Sequence, residues 1–200
     1  MDYLDDCGWL GERTWLAHGI HFNADEMTRL ARGRTTISHC PGSNQVLASG
    51  CCPVCDLERA GVRIGIGVDG SASNDSSNLM QEVRAAFLVQ RNRYGVSVVG
   101  HRDALRWATQ GSAACIGRPE LGEIRVGKIA DLALFKLDEL RFSGAGDPLA
   151  ALVLCGAHRA DRVMIGGKWV VEHGRIGGLD VEDLIRRYSA VAQRLQRVAA

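Results

Sequence analysis

Short apolar runs alternate with amphipathic stretches through the first 118 residues of this 200-residue chain. The runs "TWLAH" (14–18), "TTISH" (35–39) and "VRIGIGVD" (62–69) have the length and the β-branched or aromatic content of strands. Each is followed by a loop and then by a helical pattern. Asn23 with Glu26 three residues on has the form of a capping box, and Met27, Leu30 and Ala31 supply the apolar stripe of a helix that Gly33 ends. "CPGSN" (40–44) is a turn by composition. "VCDLERAG" (54–61) predicts a short helix with a glycine stop. Asn78 with Gln81 caps a further helix whose apolar positions are Leu79, Met80, Val83 and Phe87, and one more helix spans 102–116, burying Ala104, Leu105, Ala108 and Cys115. Strands alternating with helices predict an α/β fold with parallel pairing and right-handed crossovers.

Beyond Gly117 the pattern changes. "ADLALFKLD" (130–138) and "DRVMIGGKWVVEHGRI" (161–176) read as strands, with Gly166 and Gly167 where a type I′ hairpin turn needs two positive φ angles. From Val181 onward Leu184, Ile185, Tyr188, Val191, Ala192 and Leu195 share one helical face, with Asp180 as its cap. The expected division is therefore an α/β part, 1–118, and a mostly-β part ending in a helix, 119–200.

Composition narrows the functional classes. The formal net charge of +1, with no long run of either sign, offers no footprint for nucleic acid or for an anionic membrane. The acidic start "MDYLDDCGWL" has neither the basic nor the apolar region of a signal peptide, and no window approaches a membrane span, so a cytoplasmic location is expected. Seven cysteines, an odd number, lie mostly in apolar segments and read as small buried hydrophobes of a reducing compartment. "CCPVC" contains one C-x-x-C, Cys52 to Cys55, but no second half to complete a structural zinc site. No P-loop, G-x-S-x-G or dinucleotide fingerprint is present, since "GIGVDG" is not followed directly by a helix start.

The three strand-like runs end in His18, His39 and Asp69. In parallel α/β architectures such C-terminal strand ends converge on one face, where catalytic groups collect. One polar strand end alone could be a loop cap or a satisfied core group; three in succession point to a shared site. Two histidines and a carboxylate could hold a metal or assist one bound by others, with Asp as ligand or proton acceptor and His as proton carrier. Spacing leaves ligand and helper undistinguished. His21, His101, His158 and His173 lack this placement.

"TWLAHGIH", "ISHCPGSNQVLASG", "GIGVDGSASNDSSNLMQEVRAAF" and "LGEIRVGKIADLALFKLD" together resemble the metal-dependent amidohydrolase superfamily, in its branch of cytosine-like, guanine-like and triazine hydrolases. The strings "VDGSASNDSSNL" and "DCGWLGERTWLAH" are most similar to the 8-oxoguanine deaminase and hydroxydechloroatrazine ethylaminohydrolase group. The resemblance implies the C-terminal part of a TIM-like (β/α)8 barrel, strands six to eight, then part of a small β-sandwich and a C-terminal helix. It implies that His18 follows strand six, contacts substrate and assists proton transfer. It implies that Asp69 is the strand-eight aspartate, a ligand of Zn2+ or another divalent metal that also takes a proton from the attacking water. The reaction implied is attack of metal-bound hydroxide on a ring carbon of a small heterocycle. The family's His-x-His after strand one, and its histidine and glutamate after strand five, have no counterpart in these residues. The chain is thus expected to be a C-terminal portion, inactive alone, and its unpaired strand edges to favour homo-oligomers.

Overall fold

In the computed structural model, which describes residues 1–156 and 159–199, the first part of the chain forms a three-stranded parallel sheet. His158 lies outside the described residues. The strands are β1 (Trp15–Ala17), β2 (Thr36–His39) and β3 (Ile64–Ile66), in spatial order β1-β2-β3. Register is set by Leu16 opposite Ile37 and by Ile37 opposite Ile64. Ile37, Ile64 and Ile66 are buried, each stabilising the fold by about 1.5–3 kcal/mol relative to exposure. The outer edges of β1 and β3 have no strand partner among the described residues.

Helices are α1 (Asp2–Asp6), α2 (Ala24–Gly33), α3 (Pro41–Val46), α4 (Val54–Arg59) and α5 (Leu79–Tyr94). The capping box at Asn23 and Glu26 is made in both directions, and Asn78 accepts from the amides of Met80 and Gln81. The predicted turn at 40–44 is instead the start of α3, because Pro41 at its first position suits the helix and the Asn44 amide donates back to the Cys40 carbonyl. In α5 the apolar stripe is incomplete. Leu79 faces solvent, whereas the polar Glu82 and Gln90 are buried beside Val83 and Phe87.

The helix expected over 102–116 is interrupted. It runs as α6 (His101–Arg106), a π-helical turn (Trp107–Gly111) and α7 (Ser112–Cys115). The wide turn buries Trp107 and lays Gly111 directly on β3, where a Cβ would overlap the carbonyl oxygen of Ile64. The Ser112 hydroxyl bonds both the amide and the carbonyl of Ile66, fastening the helix to the strand.

A second, antiparallel sheet runs in the order β4 (Leu132–Leu134), β5 (Arg162–Ile165), β6 (Lys168–Glu172), β7 (Arg175–Ile176). Gly166 and Gly167 have φ of 56° and 79° between β5 and β6, as the hairpin pattern predicts. Between β4 and β5 the chain returns to the first part. Helix α8 (Pro148–Leu154), capped by Asp147, buries Val153 in the same core as Trp107 and Val83, and the Arg84 guanidinium donates to the Leu154 carbonyl. A cut at residue 118 therefore crosses a packed interface. The final helix, α9 (Val181–Ala199), leaves Leu184, Ile185, Tyr188 and Leu195 exposed. No helix among the described residues is long and apolar enough to cross a membrane.

Gly111→Ala is expected to destabilise the chain by about 1–3 kcal/mol, since the new methyl has only backbone to displace. Gly146→Ala, at a position open on all sides, should stay within roughly 0.5 kcal/mol. Urea denaturation of both variants checks the contrast.

Candidate active site

Parallel pairing of β1 and β3 with the central β2 brings their C-terminal ends out at the same end of the sheet, and the residues just beyond them meet. His18 Nε2 lies 3.6 Å from Asp69 Oδ2, with both side chains about one-third exposed. Both residues have φ of 66°. A left-handed backbone costs a non-glycine residue roughly 1–2 kcal/mol, so two such residues facing each other mark a geometry that the surroundings enforce. For the same reason the strand predicted to reach Asp69 ends at Ile66: the left-handed turn takes the chain out of the sheet and aims the carboxylate across it.

Asp69 accepts three hydrogen bonds. Oδ1 takes the Gly70 amide at 2.8 Å, and Oδ2 takes the Ser43 hydroxyl at 2.6 Å and the Ser73 hydroxyl at 3.2 Å. The Ser43 bond is the largest cause, followed by Gly70, that holds this carboxyl below the usual aspartate range. Near neutrality it is an anion. His18 Nδ1 lies 2.8 Å from Asn44 Oδ1. An amide oxygen only accepts, so Nδ1 carries a proton and Nε2 is the nitrogen turned toward Asp69.

His39, the third strand end, does not join this pair through any hydrogen bond. It is buried under the sheet, with Nε2 3.4 Å from Gln90 Nε2 and Nδ1 unpartnered among the described residues. Burial, with a smaller contribution from His18, pushes its imidazole down to about 3, so it is neutral at ordinary pH. Of the remaining histidines, His101 pairs with Asp147 at 3.2 Å, away from the cleft. Ser43, Asn44 and Ser73 were not singled out from the sequence. Ser43 and Asn44 sit in a segment that reads as an ordinary turn, and only its helical winding puts consecutive side chains on Asp69 and His18. The buried Cys52 thiol, pushed far up by burial, and Cys55 contribute nothing to the site.

The chain belongs to the amidohydrolase family, whose model matches residues 1–170. It is 60% identical to the 8-oxoguanine deaminase of Pseudomonas aeruginosa over 195 residues, covering 98% of this chain and 43% of that protein. It is 38% identical to the hydroxydechloroatrazine ethylaminohydrolase of Pseudomonas sp. strain ADP, covering 98% of this chain and 42% of that protein. Among solved structures it is similar to a zinc-bound adenosine deaminase from Xanthomonas campestris, with a TM-score of 0.93 at 31% identity over 98% of this chain and 45% of that one. The zinc complex of the atrazine chlorohydrolase TrzN from Arthrobacter aurescens gives a TM-score of 0.89 at 33% identity over 94% of this chain and 43% of that one. The fold is thus a partial amidohydrolase fold, and the chain spans less than half the length of the relatives it matches.

Zinc in those relatives raises the question of what this chain could hold. Among the described residues no group of three His, Cys, Asp or Glu side chains is placed to bind a metal ion. A catalytic zinc takes three protein ligands, and the cleft offers one carboxylate and one imidazole. These residues alone do not fit a catalytic zinc.

The neutral His39 gives the fold a pH dependence of definite sign. Its folded value lies below the unfolded 6.5, so the unfolded chain binds the extra proton and stability falls as pH drops from about 6.5 toward 3. The expected loss between pH 6.5 and about pH 5 is about 2 kcal/mol. Denaturation at the two pH values should show this drop, and His39→Gln should lack that share of it.

Proposed function

We propose that this chain is the part of a heterocycle aminohydrolase that carries its proton-transferring histidine, His18, and one anionic ligand, Asp69. The complete enzyme hydrolyses a guanine-like ring of the 8-oxoguanine type and releases ammonia. The reading rests on the His18–Asp69 pair, 3.6 Å apart at the ends of β1 and β3, in a chain 60% identical to an 8-oxoguanine deaminase. In this reading residues 1–118 are strands six to eight of a (β/α)8 barrel with their helices. Residues 119–200 are a share of the flanking β-sandwich with its terminal helix, α8 being packed back onto the barrel. The free edges of β1 and β3 then face the remaining strands, or a second copy.

The net chemistry breaks the bond between a ring carbon and its exocyclic amino nitrogen and forms a C–O bond from water at the same carbon. Protons pass from the water to the departing amine. His18 is suited to that transfer: Asn44 fixes Nδ1, leaving Nε2 to take a proton from one atom and deliver it to the other. Asp69, kept ionised by Ser43, Gly70 and Ser73, presents a fixed negative charge beside it and accepts from the water. Its oxygen would serve as one ligand of a divalent cation, the further ligands being supplied by residues other than these. Such a cation supplies Lewis acidity when bound. A related reading, displacement of chloride from a triazine, is favoured by the structural likeness to the atrazine chlorohydrolase and differs only in the leaving group.

In isolation the 200-residue chain is expected to bind zinc weakly in equilibrium dialysis and to release no ammonia. Tight stoichiometric zinc with turnover would overturn the incomplete donor set. A chimera in which this chain replaces the matched region of the Pseudomonas aeruginosa deaminase is expected to release ammonia from 8-oxoguanine. A folded, metal-loaded but inert chimera would sink the proposal, and release of chloride from a chlorotriazine without ammonia from the purine would replace it with the related reading.

In the active chimera Asp69→Asn should abolish turnover and lower metal content. His18→Asn should cost about 10²- to 10⁴-fold in kcat with metal retained. Metal analysis beside turnover separates the roles: loss of metal in His18→Asn equal to that in Asp69→Asn would make His18 a ligand.

A further inference from the structure

We propose that Glu82 is a positioning residue that sets the geometry of Asp69 from beneath the cleft, a role that rests on the reading of Asp69 as a site residue. Glu82 lies on α5, is 3% exposed, and takes part in no ion pair among the described residues. A carboxylate buried without a cation is costly unless its oxygens are filled by hydrogen bonds. Here each oxygen has one donor, one from the first turn of α3 and one from the loop after β3. Oε2 accepts the Gly42 amide at 2.7 Å, and Oε1 accepts Asn74 Nδ2 at 2.8 Å.

Those two donors are the immediate neighbours of the two hydroxyls on Asp69. Gly42 precedes Ser43, and Asn74 follows Ser73. Ser43 and Ser73 both reach Asp69 Oδ2, with their own hydroxyl oxygens 2.9 Å apart. Asn74 Nδ2 also donates to the Val68 carbonyl at 2.8 Å, the residue just before Asp69. Glu82 thus ties the start of α3 to the loop after β3, one residue away from each of the two serines that reach the carboxylate. The fit leaves no slack, since a Cβ on Gly42 would overlap the Glu82 carboxylate. Replacing Glu82 by Gln keeps the shape but turns one acceptor into a donor facing a donor, so one loop must let go.

The test uses the 200-residue chain labelled with 13C in its aspartate side-chain carboxyls, the Asp69 signal being assigned by its loss in Asp69→Asn. Glu82→Gln should move the Asp69 resonance by more than the spread at the other aspartates while signals from β4 to β7 stay in place. If Glu82→Gln does not fold, Gly42→Ala is read the same way. In the chimera described above, Glu82→Gln should lower kcat by about 10²-fold with KM little changed, as expected for a misplaced group that does not bind substrate. An unmoved Asp69 resonance, or an unchanged kcat, overturns the proposal. An inert unsubstituted chimera counts against the deaminase reading alone and leaves the resonance to decide the role of Glu82.

Discussion

Parallel pairing of β1 and β3 on either side of β2 is the constraint on which the candidate site depends. Pairing in that sense sends both chain ends out on one side of the sheet, so two residues separated by 51 positions come within reach. Each then turns through a left-handed backbone that a non-glycine residue adopts only under compulsion. The compulsion is visible in the hydrogen bonds beyond each turn: Asn44 on His18, and Ser43, Ser73 and Gly70 on Asp69. Short helix α3 is the hinge of this arrangement, because its successive residues 43 and 44 hold the two opposite members of the pair.

Two histidines at the ends of neighbouring strands are put to different uses by their surroundings. His39 is enclosed and stays neutral, so it acts as a polar core group whose cost appears only when acid protonates the unfolded chain. His18 is partly open to the cleft, with one nitrogen committed and one available. The same residue type at two neighbouring strand ends thus diverges through burial, backbone turn and hydrogen-bond partner. The same holds for carboxylates: Glu82 is buried and bridges loops, whereas Asp69 faces outward and carries the charge.

The chain belongs to the amidohydrolase family, yet the donor set at His18 and Asp69 is short. The chain covers less than half of each relative named above, and a catalytic metal needs more ligands than one carboxylate and one imidazole. The outer edges of β1 and β3 have no strand partner among the described residues.

Much of this was legible in residue order. Strand and helix alternation, the Asn23–Glu26 box, the Asn78 cap and the Gly166–Gly167 hairpin depend on local backbone preferences and short-range periodicity, which a linear string contains. His18 and Asp69 stood out because a polar residue closing an apolar run is itself a local pattern, and the family strings carried the rest. What the string could not show is whatever depends on a distant neighbour. The π turn at 107–111 exists where Gly111 meets the Ile64 carbonyl; Ser43 and Asn44 matter only because a turn-like segment winds into a helix between two strands; and His39 and Glu82 took their roles from the elements that close over them. Burial and hydrogen-bond partners across 26 to 51 residues are properties of packing, and packing alone decided which polar residues face the cleft and which hold it in place.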